Sequence, residues 1–84
     1  MSEQRAKIDY PIVWTYKVIG REESGIREAI LASVGERDHE LRASNVSSKG
    51  RFLSLEVSLR VENEEDRVSL FHRIQAHPMV KMVL

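Results

Sequence analysis

An α+β sandwich, four antiparallel strands covered on one face by two helices, is the fold this sequence predicts, and three observations predict it. Leu53, Leu55, Val57, Leu59 and Val61 alternate without a break with Phe52, Ser54, Glu56, Ser58 and Arg60, the period of a strand with one dry and one wet face. Two other segments, 25–36 and 64–76, place their apolar residues at helical spacing instead. The signals follow one another along 84 residues as strand, helix, strand, strand, helix, strand. That is the split βαβ order of the ferredoxin-like fold, whose sheet runs 4-1-3-2 with every neighbour antiparallel and both helices on one face.

The first strand is the β-branched and aromatic run from Pro11 to Gly20, in which Ile12, Trp14, Tyr16 and Val18 form the more apolar set and are expected to face inward. Gly20 stops it. Arg21 to Glu23 connect to Ser24, read as a helix N-cap, and Ile26, Ala29, Ile30 and Val34 supply the buried stripe of a helix over 25–36. Residues 39–47 alternate weakly, Leu41 and Ala43 against Arg42 and Ser44, which suits a half-exposed edge strand. Ser48, Lys49 and Gly50 make the turn into the third strand, where glycine can take a positive φ. Asn63 caps the second helix, and Glu64, Glu65 and Asp66 place three carboxylates in its first turn, where the peptide dipoles favour negative charge. Leu70, Phe71 and Ile74 face the core, and Pro78 prevents the helix from continuing. Met79 to Leu84 reads as the last strand, with Val80, Met82 and Leu84 inward and Lys81 outward.

Length and composition bound the function. A chain of 84 residues holds one domain, here 10–84, with the polar stretch Met1 to Asp9 expected as a frayed tail. A domain of this size buries only about 60% of its unfolded surface, so association with a partner would add appreciably to its stability. Thirteen basic and thirteen acidic residues cancel, removing the broad field of a non-specific nucleic-acid or anionic-membrane binder. There is no cysteine, hence no disulfide, thiolate metal site or cysteine nucleophile, which fits the cytoplasm. The polar N-terminus has the pattern of neither a signal peptide nor a membrane span.

With the strands placed, longer strings become comparable to a known family. Tyr10-Pro11-Ile12-Val13-Trp14-Thr15-Tyr16-Lys17-Val18-Ile19-Gly20 resembles the first strand of the YbeD-like family of small uncharacterised bacterial proteins, domain-of-unknown-function family 493. Ser47-Ser48-Lys49-Gly50-Arg51-Phe52-Leu53-Ser54 is similar to its hairpin, and Pro78-Met79-Val80-Lys81-Met82-Val83-Leu84 to its C-terminal strand. The resemblance implies a ferredoxin-like fold close to the amino-acid-binding ACT domains, a bacterial cytoplasmic protein without established activity, and a regulatory association with lipoate attachment.

The sequence carries no catalytic constellation. His39, His72 and His77 fall on separate elements with no carboxylate at a ligand spacing, so solvated or structural imidazoles are expected and neither metal nor cofactor is assigned. No serine lies in a Gly-x-Ser-x-Gly frame. Three binding surfaces are left. Gly20, Arg21, Ser24 and Gly25 flank the start of the first helix, whose free N–H groups suit an anionic ligand, although the Asp-x-x-Gly pattern of amino-acid-binding ACT loops is missing. Lys49, Arg51 and Phe52 form a basic-aromatic cluster comparable to RNA-binding sheets, yet they bring one ring where two or three are needed. The last strand is apolar on both faces and lies at a sheet edge, where strands of a second copy or another protein can add. The expected interaction surface therefore comprises Lys17, Lys49, Arg51, Phe52, Lys81, Val83 and Leu84, in a non-enzymatic regulatory or adaptor module working by protein association. An ACT-like metabolite sensor and an RNA-binding module are the alternatives.

Overall fold

A computed structural model describes residues 7–46 and 50–84. Six elements follow in the expected order: β1 (Ile12–Gly20), α1 (Glu23–Val34), β2 (Glu40–Val46), β3 (Leu53–Val61), α2 (Glu64–Gln75) and β4 (Val80–Val83). The sheet order is β2-β3-β1-β4 and all three pairings are antiparallel, the ferredoxin-like arrangement. β1 and β3 are the central pair, in unbroken register from Ile12 opposite Val61 to Gly20 opposite Leu53. No helix is long and apolar enough to cross a membrane among the described residues.

The two alternations meet in one core under the helices. Tyr16 and Val18 of β1 pack with Leu55, Val57, Leu59 and Val61 of β3, against Ile26, Ala29, Ile30 and Val34 of α1 and Leu70 and Ile74 of α2. Trp14 is half-buried on the same face, while Ile12, expected inward, lies mostly beyond the cover of the helices and is exposed. Thr15, Lys17, Glu56, Ser58 and Arg60 occupy the open face, where the Thr15 and Ser58 hydroxyls bond at 2.7 Å. Ser54, also expected there, is buried.

Two further expectations are corrected. α1 begins two residues before the predicted start: Glu22, not Ser24, is its N-cap, Ser24 is an exposed helical residue, and Gly35 at φ +63° ends the helix instead of residue 36. Charge explains the earlier start. Glu23 in the first turn meets the positive end of the peptide dipoles and bonds Arg27 one turn on at 2.8 Å.

The second correction concerns β4. Gly20 pairs with Val80 but Ile19 pairs with Met82, so Lys81 is an extra residue bulged out of the ladder. Because side chains alternate with period two, one inserted residue exchanges the faces of everything after it. Val83 is therefore buried at 4% exposure, whereas Met82 and Leu84, predicted inward, are 44% and 65% exposed.

The start of α2 is fastened by a polar network. Asn63 caps it through a bond from the Asp66 N–H, as expected. Arg37 grips the Asp66 carboxylate with two bonds of 2.9 and 2.8 Å and donates a third to the Arg60 carbonyl, while the Glu62 N–H donates to Asp66. The Arg37 bonds hold the Asp66 carboxyl below its ordinary value. Its folded-state pKa is depressed, so its stabilisation is present above about pH 4 and is lost as pH falls through the folded value. Tyr16 works in the opposite sense. Burial pushes its hydroxyl up to about 12, so the stability tied to its neutral form is complete below pH 10 and is lost as pH rises from there. Asp66→Asn is expected to lower stability by about 1–2 kcal/mol at neutral pH and to flatten the acid limb of the curve; denaturant melts from pH 2 to 7 measure it. An unchanged acid limb in the variant would contradict the assignment.

Candidate functional site

The residues singled out in the sequence fall at two ends of the β1/β4 seam. At the end where β1 leaves the sheet, Arg21 stands 5.4 Å from the Phe52 ring and the Lys81 ammonium 5.8 Å from it. The bulge is what turns Lys81 this way. Together with Glu22 and Met79 they line a cavity of about 280 Å³. The structure thus joins Arg21 of the expected ligand loop to Phe52 and Lys81 of the expected interaction surface. Arg51 is exposed beside them; Lys49 lies outside the described residues.

The loop's glycines have a packing role. A Cβ on Gly20 would lie 2.7 Å from the Met79 carbonyl oxygen and 2.9 Å from Ile26, and one on Gly25 would lie 2.3 Å from the Met79 methyl. Neither glycine has a positive φ, so close approach of the chain at Met79 requires them, not turn geometry. Ser24 points to solvent at the second helical position, away from any cap role.

At the other end, the expected edge is arranged differently from the sequence reading. The N–H of Val83 faces away from β1 and donates to the Gln75 Oε1 at 3.1 Å, so α2 covers the outer edge of β4 at its one buried late residue. Val83 is therefore removed from the interaction surface. Lys17 and Leu84 exchange both backbone bonds, at 3.0 and 2.8 Å, and this pair is the last on the seam.

Beyond it β1 has no described partner on the β4 side. Backbone groups in a strand alternate sides, so if Lys17 directs its N–H and C=O toward β4, Thr15 and Val13 do the same. No described residue pairs with them there: β3 follows all nine residues of β1 on one side, whereas β4 has four residues. Among the described residues the fourth-strand slot is half filled.

A groove lies over the vacant half. Trp14 and Tyr16 form its floor, Val68 and Phe71 of α2 its roof, and Leu84 one end, enclosing about 380 Å³. Its walls are held in place: the Tyr16 hydroxyl donates to the Arg67 carbonyl at 2.6 Å, Arg67 Nε donates to the Tyr10 hydroxyl at 2.9 Å, and the Arg67 guanidinium stacks 4.6 Å over the Trp14 ring. Sequence reasoning missed this groove, which depends on how α2 packs over β1.

The histidines serve local structure. His39 Nδ1–H donates to the Arg37 carbonyl, His77 Nδ1 accepts from the Met79 N–H, and His72 sets its ring edge-on to Phe71. Among the described residues no three histidine, aspartate or glutamate side chains are grouped to hold a metal ion. Phe52 is the one described ring on the open face, so the stacked set of an RNA-binding sheet is not assembled.

Comparison with known proteins agrees with this architecture. The family model described as "Protein of unknown function (DUF493)" matches residues 5–84. A UPF0250 protein of Ralstonia nicotianae is 35% identical over 92% of this chain and 84% of its own length, and one from Neisseria meningitidis is 30% identical over the whole of both. The solution structure of protein HP0495 from Helicobacter pylori superposes with a TM-score of 0.80 at 30% identity, covering 96% of this chain and 89% of that one. The ACT domain of a GTP pyrophosphokinase from Chlorobium tepidum gives 0.62 at 15% identity, over 88% and 96%, a likeness of fold alone.

Gly20→Ala is expected to destabilise by about 1–3 kcal/mol, more than Gly25→Ala, because a backbone carbonyl cannot move aside as the flexible end of Met79 can. Thermal melts of the two variants test it; equal costs would contradict the close-approach account.

Proposed function

The chain belongs to the DUF493 family of proteins of unknown function, and from that premise we propose that it is a non-catalytic association module that recruits another polypeptide to its half-filled sheet. The observation that carries this reading is the stretch of β1 beyond Lys17, where Val13 and Thr15 turn two pairs of backbone donors and acceptors away from β3, toward a place that no described residue fills, beside an apolar groove. Unpaired edges recruit strands, and natural sheets normally protect them with charge, proline or a covering element. Here β4 has such a guard in Gln75, whereas the outer edge at Val13 and Thr15 has none among the described residues.

A second reading, a sensor of an anionic metabolite, is favoured by one feature: Arg21 and Lys81 converge on the cavity at the start of α1. Amide shifts confined to Arg21, Ser24 and Lys81 on titration with amino acids are its expected signature. Unchanged spectra across a metabolite panel would remove it.

Proline at an outward-facing edge position removes a donor without breaking an internal ladder bond. Thr15→Pro is therefore expected to keep the melting temperature within a few degrees while abolishing complexes that the wild-type protein forms in its native bacterium. Sedimentation and native co-purification read the result, with mass spectrometry reporting whether the partner belongs to lipoate attachment, the connection implied by the family resemblance. A wild-type protein that stays alone, or a Thr15→Pro variant that retains its complexes, would overturn the edge reading.

A further inference from the structure

Independently of the β1 edge, we propose that the outer edge of β2 pairs with a second copy of this chain, Leu41 opposite Leu41 across a two-fold axis, joining two four-stranded sheets edge to edge. The backbone fixes which groups are on offer. Because Lys17 turns both its bonds to β4, Tyr16 turns its own to β3, and alternation carries the pattern across the sheet. Val57 therefore faces β1, Glu56 and Ser58 face β2, and Arg42 and Glu40 opposite them face β3. Leu41 and Ala43 are left with N–H and C=O directed outward, and no described residue bonds to them there. The described ends of the chain lie at the other margin of the sheet: Leu84 pairs with Lys17 on the β4 side, and Tyr10 bonds Arg67 of α2. A segment continuing from either would have to cross the sheet to reach β2.

Charge selects both the register and the occupant. With Leu41 on the axis, Glu40 of each copy stands opposite Arg42 of the other, so an exposed pair of opposite charges is made twice. Bonds form only in registers that match outward residues, and the neighbouring ones set Glu40 against Glu40 or Arg42 against Arg42 at a spacing of about 4.5 Å. Like charges there repel. Registers further along run off the start of β2 or into the bulge between Ala43 and Val46, where the regular edge ends. The edge is thus complementary to itself, and a copy of the chain supplies that complement by symmetry.

The contact also extends what the sheet already contains. Lys17, Glu56 and Arg42 form a row across β1, β3 and β2, and Glu40 of the second copy continues its alternation of sign. Arg42 can reach both carboxylates, since its bridge to Glu56 is 3.7 Å long and its side chain is 68% exposed. On the helix side, the partly buried Leu41 meets its twin and removes apolar surface from water.

Sedimentation of the whole protein over a concentration series, with amide spectra recorded on dilution, tests the pairing. A dimer that dissociates on dilution is expected, the Leu41 and Ala43 amides shifting most. Glu40→Arg and Arg42→Glu each turn both attractive pairs into repulsive ones and are expected to weaken self-association at least about tenfold. Mixed in equal amounts, the two variants face each other with opposite charges at both pairs and are expected to form a heterodimer within about threefold of the wild-type affinity. Such recovery separates a cross-strand charge pair from damage to the fold, which mixing would not repair. Single variants that dimerise as tightly as the wild type, or folded variants that fail to recover on mixing, would overturn the proposal. A protein monomeric throughout would overturn it too, and shifts of Leu41 and Ala43 in its native complex would then give the edge to a foreign strand. Thr15→Pro removes foreign partners from the β1 edge and is expected to leave this dimer intact; a dimer that it breaks belongs to β1 and contradicts the β2 pairing.

Discussion

The β4 side of the sheet depends on how closely the chain at Met79 approaches Gly20. Because Gly20 has no side chain, the Met79 carbonyl can lie where a Cβ would stand, which sets the position at which the last strand joins the sheet. From there one extra residue is accommodated at Lys81, the alternation changes face, and Val83 enters the core. The seam then closes on the Lys17 and Leu84 pair. Among the described residues this strand covers β1 from Gly20 to Lys17.

The two ends of the seam are unlike. At the joining end, the bulge directs Lys81 toward Phe52 and Arg21, giving a small cavity with two cations at its rim. At the far end, backbone groups without a partner among the described residues face a groove whose walls are tied together by Tyr10, Tyr16 and Arg67. The walls matter because a groove that collapsed onto Trp14 would present nothing. Arg67 prevents that by stacking on the indole while its own carbonyl is held by the buried Tyr16 hydroxyl, so floor and roof are joined by hydrogen bonds whose net worth is about 1 kcal/mol each.

Much of the fold was legible because local pattern and burial agree. The leucine and valine row of β3 faces the helices as its period requires, Asn63 caps α2, and the sheet order follows from element order. Apart from the start of α1, the failures lie where a contact distant in sequence overrides the local pattern. Ser24 is a good capping residue, yet Glu22 and Glu23 start the helix because charge there meets the dipole and Arg27. The alternation of Val80, Met82 and Leu84 was real in the sequence, but a bulge seen only in the pairing with β1 reversed it. Gln75 guarding Val83 and Arg37 gripping Asp66 join residues whose types carry no local signature of their partner. The candidate surface was half legible for the same reason: Phe52, Lys81, Lys17 and Leu84 were named, but their division into two separate clusters, and the groove beside one of them, belong to the packing of α2 over a short strand.

Native-state hydrogen exchange along β1 tests this account most directly. With the slot half filled, the amides of Trp14, Tyr16 and Val18, bonded to β3, and of Lys17 and Ile19, facing β4, exchange slowly, while those of Val13 and Thr15 exchange near the rate of unstructured chain. Protection of Val13 and Thr15 equal to that of Lys17 in the free protein would mean that the edge is already paired, and the vacancy on which the functional reading stands would not exist.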